Sequence, residues 1–195
     1  SVIDSLQDPT QIQVYLRDLV LSRIPDRLGL DPVNDVQIIT PTHLGQLGTK
    51  AINEMMQYLL HGAVDRKFAV GDKVIQTTND YGLGIMNGTI GVISEVDTSD
   101  GISYIVEFDG DGHRHIHDER ILNLQLAYAL TAHKAQGSEF PCVVVLCHKS
   151  HFFADRNWLY TAVTRASRYC IVVGDRWGLR NAVKKNSVSR RRTFL

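Results

Sequence analysis

Three short runs in which almost every residue is apolar constrain this chain more than any other feature. They are Asp35–Thr40 (DVQIIT), Cys142–His148 (CVVVLCH) and Tyr169–Asp175 (YCIVVGD). A strand that is apolar on both faces has to be covered on both faces, which is the situation of strands in a parallel sheet with helices packed against it. Helical spacing supplies the covers. The stretch from Pro9 to Leu21 places Ile12, Leu16, Leu19 and Val20 on one stripe, with Asp8 or Thr10 as the cap, and PDRLGLDP is expected to end it. From Thr49 to Leu60, Ile52, Met55, Met56, Leu59 and Leu60 form a second stripe, in which the methionines read as core filler. DRNWLYTAVTRAS reads as a third helix, capped by Asp155 or Asn157.

Between Phe68 and His117 the pattern changes. Segments become short, β-branched and alternating, and Gly-Asp, Asn-Gly, Asp-Gly and Gly-Asp-Gly signals separate them. MNGTIGVI and TSDGISYIVEF both read as turns feeding strands. The expected organisation is therefore a split α/β domain, residues 1–66 and 126–195, with a small SH3-like β-barrel inserted at 67–125.

Composition narrows the class by exclusion. Formal net charge is zero over 195 residues, so there is no global argument for a nucleic-acid partner. The distribution is less even. After Asp175 come Arg176, Arg180, Lys184, Lys185, Arg190, Arg191 and Arg192 with no acidic residue, an end read here as a solvated or disordered tail in preference to a phosphate contact. Cys142, Cys147 and Cys170 lie in or beside apolar runs without CxxC spacing, and read as buried thiols of a reducing, cytoplasmic compartment. No window is apolar enough to span a bilayer, and the start, SVIDSLQDPT, has neither the basic opening nor the apolar core of a secretion signal. The missing initiator methionine suggests a piece of a longer or processed chain.

Two polar knots interrupt the apolar runs. In the first, TAHKAQGSE, Gly137 permits a tight turn, Thr131 and His133 can donate to phosphate, and Gln136 and Glu139 offer an amide and a carboxylate to a sugar or water. In the second, YTAVTRA, Arg165 follows a helix with an apolar face, so its guanidinium belongs near that helix's end. A group that is always charged and contacts phosphate bidentately suits charge developing in phosphoryl transfer. HRHIH puts His113, His115 and His117 on one face of a strand. A metal site is one reading, but no Cys or second His cluster lies nearby, and an exposed barrel strand is preferred.

YALTAHKAQGSEFPCVVV resembles motif V, and NWLYTAVTRASRYCIVVG motif VI, of superfamily 1 DNA helicases of the RecD-like group, the exodeoxyribonuclease V alpha-subunit type. IITPTHLGQLGTKAINEMMQ is similar to that group's motif IV region, and GDKVIQTTNDYGLGIMNGTIGVI to the segment preceding its SH3-like insertion. The resemblance runs from about Asp35 to Asp175. It implies the second RecA-like motor domain of an ATP-dependent DNA helicase, moving 5′ to 3′, in repair or recombination. It further implies that Thr131 and His133 face the backbone of single-stranded DNA, that Gln136, Gly137 and Glu139 face the nucleotide, and that Arg165 is an arginine finger with Thr161 and Thr164 shaping its surroundings. Asn79 and Tyr81 are placed near DNA, with Tyr81 as a packing residue the other reading. Many relatives carry a basic residue where this chain has Leu44, so motif IV is expected to lack a phosphate contact, with His43 a weak substitute.

A complete motor of this kind needs a Walker A loop and an acidic Walker B pair, and neither motif occurs here. ATP and Mg2+ are thus expected in the full-length protein, with none in this chain alone, which is predicted inactive by itself. Expected partners are single-stranded DNA, the N-terminal motor domain of the same protein and nuclease or helicase subunits. A Pif1-like or relaxase-associated helicase, and a non-enzymatic DNA- or protein-binding module, are the alternatives.

Overall fold

The computed structural model describes residues 1–186; Arg190, Arg191 and Arg192 of the basic end lie outside the described residues. By packing the chain divides into two units, Ser1–Ile52 with the residues from Ala129 onward, and Asn53–Tyr128.

The first unit is built on a parallel sheet. Its strands are β1 (Val2–Ile3), β2 (Val36–Ile39), β8 (Ala129–Leu130), β9 (Phe140–Cys147) and β10 (Ala166–Gly174), in the order β1-β10-β9-β2-β8. All three apolar runs of the sequence are strands here. Every residue of β2 is buried, and Val143, Val144, Val145 and Leu146 of β9 have no exposed surface. Ile39 stands level with Val145 on one side and Leu130 on the other.

Helices flank this sheet. Asp8 caps α1 (Pro9–Asp18), its carboxylate accepting from the Thr10 N–H at 2.9 Å. The helical course does not stop at Pro25. It passes through a π-helical turn, Leu19–Arg23, into α2 (Ile24–Leu28), because a proline in the first turn of a helix lacks only an N–H that needs no intrahelical partner. Gly29, with φ 65°, ends it. α3 (Thr49–His61) begins in this unit. Asp155 caps α4 (Arg156–Val163), which packs on β9 and β10.

The expected solvated tail is corrected over residues 176–184, which form α5 (Arg176–Lys184) against β9. Asp175 caps this helix and it buries Gly178 and Ala182, enough to order a stretch whose charges made it read as tail. Cys142 and Cys147 are buried, and burial pushes their thiols up to about 11 and about 12, away from thiolate chemistry. No helix among the described residues is long and apolar enough to cross a membrane.

The second unit is an antiparallel sheet of β3 (Lys73–Gln76), β4 (Ile90–Asp97), β5 (Ser103–Phe108), β6 (Gly112–Ile116) and β7 (Leu124–Leu126), ordered β6-β5-β4-β3-β7. Pairing slips between Ile93 and Glu95, a bulge of the kind that bends a strand and raises its twist. That curvature wraps the sheet around Phe68, Val74, Ile85, Ile93, Tyr104 and Phe108. Gly91 is required where β4 crosses β5, since a Cβ there would lie 2.7 Å from the Glu107 carbonyl oxygen.

Polar groups are buried in this unit, among them Asp72, Lys73 and Gln76. Asp72 is fully buried, and its carboxylate accepts from Tyr128 Oη at 2.6 Å, Gln57 Nε2 at 2.6 Å and Ala69 N at 2.7 Å, with His61 Nε2 at 3.3 Å. Burial, and then the Asp72 carboxylate beside it, raise the Tyr128 phenol well above its usual range.

Candidate functional site

The first knot leaves β8 at Thr131 and turns through residues 132–137 before β9 begins at Phe140. The turn forms because its alanines are interior and its polar residues are not. Ala132 and Ala135 are buried, while His133, Lys134, Gln136, Gly137 and Glu139 are exposed. Thr131 anchors it: its carbonyl accepts from Ala135 N at 3.0 Å and its hydroxyl from Lys134 N at 3.4 Å. Gly137 takes φ +89° with open space at its Cβ position, so backbone conformation and not crowding demands glycine.

The second knot closes α4. Thr161 and Thr164 turn their hydroxyls back onto the carbonyls of Asn157 and Tyr160, at 2.9 and 2.8 Å. That leaves the helix's carboxyl end rich in oxygen, and Arg165 sits on it. Its Nε donates to the Thr161 carbonyl at 3.2 Å and its Nη2 to Thr164 Oγ1 at 3.4 Å. Its Nη1 donates to the carbonyl of Ser138 at 3.3 Å, and its own carbonyl accepts from Phe140 N at 2.8 Å.

The two knots, 27 residues apart along the chain, are therefore one site. Arg165 meets no carboxylate among the described residues; the dipoles of a helix carboxyl end hold the cation in place of a counter-ion. Three of its N–H donors are engaged with these oxygens, and a guanidinium has about five, so two stay open to an anion. Gln136 and Glu139 present an amide and a carboxylate on the same loop.

This site lies at the amino-terminal edge of β9 and β10, where a helix ends. The positive charge for an anion comes from Arg165 itself. Thr131 stands at the other end of the sheet. Leu130 is level with Val145, and Ala166 with Phe140, so at about 3.3 Å per residue Thr131 and Arg165 are roughly 20 Å apart along the strands. Thr131 and His133 thus start the loop at one edge, and Gln136, Gly137 and Glu139 finish it toward the other.

Other candidates have local explanations. His43 Nδ1 is held by Thr49 Oγ1 at 2.7 Å, and Leu44 is exposed. In the second unit Asn79 braces a loop, accepting from Asn87 N at 2.8 Å and donating to Tyr81 Oη at 3.2 Å. Tyr81 is 81% exposed and packs on no core of this unit. His115 meets Ser103 Oγ at 2.8 Å, His117 meets Asp118 at 2.7 Å, and His113 lies 3.8 Å from Glu107. No group of three or more His, Cys, Asp or Glu among the described residues is placed to hold a metal ion.

Sequence reading missed a buried polar cluster at the carboxyl ends of β9 and β10. His148 Nε2 donates to the Gln7 carbonyl at 2.9 Å and lies 3.4 Å from Asp175, whose other oxygen caps α5. The signal was available, since both apolar runs end in a polar residue at matching register. Beside them His151 is 3% exposed with no partner on either ring nitrogen among the described residues; burial, then His148, lower it to about 4. An ordinary histidine takes its proton near 6.5, so between these values the unfolded chain binds a proton that the folded one refuses. Stability should be full above pH 6.5 and fall as pH drops toward 4, by on the order of 3 kcal/mol. His151→Phe should flatten urea-denaturation stability across that window; an unchanged pH slope would refute the assignment.

Comparison with known proteins bears on both units. Residues 126–173 match the UvrD-like helicase C-terminal domain, and residues 50–108 the ATP-dependent RecD-like DNA helicase SH3 domain. The chain is 40% identical over 138 residues to the ATP-dependent RecD2 DNA helicase of Deinococcus radiodurans, covering 67% of this chain and 19% of that protein. It is 36% identical over 120 residues to the RecBCD enzyme subunit RecD of Mycolicibacterium smegmatis, covering 61% and 21%. The chain thus spans about a fifth of the length of these relatives. Among solved structures, Pif1 helicase from Bacteroides in complex with ADP-AlF3 and ssDNA shares the fold, with TM-score 0.56 and 19% identity, over 95% of this chain and 53% of that one.

Proposed function

This chain is the C-terminal motor portion of a RecD-like superfamily 1 helicase with its SH3 domain, and from that premise we propose that its Arg165 edge forms one wall of an ATP-hydrolysing cleft. The observation that carries this is the guanidinium of Arg165 held by carbonyls against the Gln136–Glu139 loop, with no carboxylate among the described residues to neutralise it. The other wall, with the phosphate-cradling loop and the ligands for Mg2+, would come from the N-terminal motor domain of the same protein. Gln136, Gly137 and Glu139 would bind the nucleotide, and Arg165 would meet the phosphoryl group in transit.

Single-stranded DNA would be gripped by Thr131 and His133 at the opposite edge of the sheet, and by Asn79 and the exposed Tyr81 in the SH3 unit. A single loop joins Thr131 to Gln136, so nucleotide-driven movement of one end of that loop displaces the other. This is how hydrolysis would be linked to stepping 5′ to 3′ along the strand. The setting would be cytoplasmic DNA repair or recombination, alone or beside nuclease subunits. The Pif1-like reading has a shared fold behind it, whereas the RecD-like reading has sequence identity in both units. A purely adaptor role has no use for an unneutralised arginine beside Gln136.

Glu139→Ala tests the division of labour. A group that binds ATP equally before and during reaction changes KM alone. In the full-length protein the variant should raise KM for ATP by about three- to tenfold, the worth of one hydrogen bond, with kcat nearly unchanged. Steady-state ATPase kinetics with saturating oligonucleotide check this; a collapse of kcat at unchanged KM would contradict the role.

A further inference from the structure

A groove of about 880 Å³ opens at the carboxyl ends of β1, β9 and β10, the end of the sheet remote from Arg165, and the reading above makes no use of it. Its walls include Lys149, Arg176, Trp177 and Arg180. We propose that this groove binds single-stranded DNA, with the Trp177 indole as a platform for one base and the surrounding cations on the phosphates.

The groove's lining carries Lys149, Arg176 and Arg180 against Asp4 and Asp175, and the structure shows why the acids count for less. Asp175 is turned inward as a helix cap, accepting from Gly178 N at 2.8 Å. Asp175 also accepts from Lys149 N at 2.6 Å and is 4% exposed, so it offers little negative charge to the surface. Asp4 answers Arg176 alone, at 3.3 Å, and Arg180 has no hydrogen-bond or ion-pair partner among the described residues.

Apolar surface completes the pattern. Trp177 is 53% exposed although an indole is costly to leave in water, and it stands in the first turn of α5 between Arg176 and Arg180. An exposed aromatic ring lining an open groove together with arginines and a lysine is the arrangement that grips single strands without reading sequence: cations track the backbone and a ring stacks on a base. Duplex DNA hides its base faces and has no use for the ring.

The groove lies at the same end of the sheet as Thr131, three strand spacings from β8 to β10, or about 15 Å. A strand leaving Thr131 and His133 can thus continue along the strand ends to Trp177. The proposal itself needs neither ATP nor the N-terminal motor domain.

The test is fluorescence anisotropy of labelled oligo(dT) on this chain at about 50 and 200 mM salt, where phosphate contacts weaken as salt rises. Trp177→Ala should weaken binding by about 5- to 100-fold, the range for a lost stacked base, while Trp177→Phe retains most of the affinity. Arg180→Glu should weaken binding and flatten its salt dependence. An abasic oligonucleotide should bind with no sensitivity to Trp177→Ala. Unchanged oligo(dT) affinity in both Trp177→Ala and Arg180→Glu overturns the proposal, and would leave the patch as a protein contact. Thr131→Ala with His133→Ala separates the two sites: loss there with intact groove variants refutes the groove alone, and the reverse refutes the loop alone.

Discussion

In the full-length protein, Arg165→Ala is expected to lower DNA-stimulated kcat for ATP by about 10³- to 10⁵-fold, the range for removal of an arginine finger. That corresponds to about 4–7 kcal/mol of transition-state stabilisation. The size follows from how the residue is held. Its guanidinium is fixed by the Thr161 and Ser138 carbonyls and Thr164 Oγ1, so it needs no reordering when charge develops on the phosphoryl oxygens. KM should move much less than kcat, because the contact strengthens only in the transition state. Arg165→Lys should rescue little, since an ammonium keeps the charge but cannot bridge two carbonyls and still present a flat pair of donors. Loss of the Ser138 contact could itself loosen the Gln136 loop. Amide hydrogen exchange over residues 136–140 separates that effect from a direct one. Full DNA-stimulated turnover in Arg165→Ala would remove the arginine from the chemistry.

Asp72→Ala is expected to destabilise the Asn53–Tyr128 unit by about 3–5 kcal/mol, as removal of one member of a buried charged network does. Three donors lose their acceptor at once: the Tyr128 hydroxyl, the Gln57 amide and the Ala69 N–H. The Tyr128 hydroxyl is enclosed, so the desolvation penalty is greatest there, while Gln57 and Ala69 are only partly buried. Asp72→Asn should cost less but still be damaging, because its amide nitrogen would confront one of these donors. Hydrogen exchange should show protection lost in β3, β4 and β7 while β9 and β10 keep theirs. A loss below about 1 kcal/mol would mean that the cluster is solvated in solution.

The legible parts of this chain were those governed by short-range patterns. Uninterrupted apolar runs became β2, β9 and β10, and the caps were narrowed to Asp8 or Thr10 and Asp155 or Asn157, of which the structure selects Asp8 and Asp155. The fold class followed from these and from the turn-rich stretch between them. Two-residue strands such as β1 and β8 were invisible, because two residues carry no period. α5 was hidden by its own charges, since its helix depends on the Asp175 cap and two small buried residues and not on a broad apolar face. Of the candidate site, the residue types were legible from local pattern, whereas the grouping of Gln136, Gly137, Glu139 and Arg165 apart from Thr131 and His133 came only from the family resemblance. Nothing local distinguishes Arg165, which meets the loop of residues 136–139, from Thr131, which lies in the same knot as Gln136 but at the far edge of the sheet.

The sequence by itself determined which segments are strand or helix, which polar residues interrupt them, and the helicase kinship those motifs carry, because periodicity and capping act over a few residues. Only the tertiary structure decided that Arg165 and Ser138 touch, that Asp175 beside Trp177 faces inward, and that Asp72 gathers three donors. These contacts span 27, 26 and 56 residues of chain. They depend on strand order and register, which are set by how whole faces pack, and no local pattern records that.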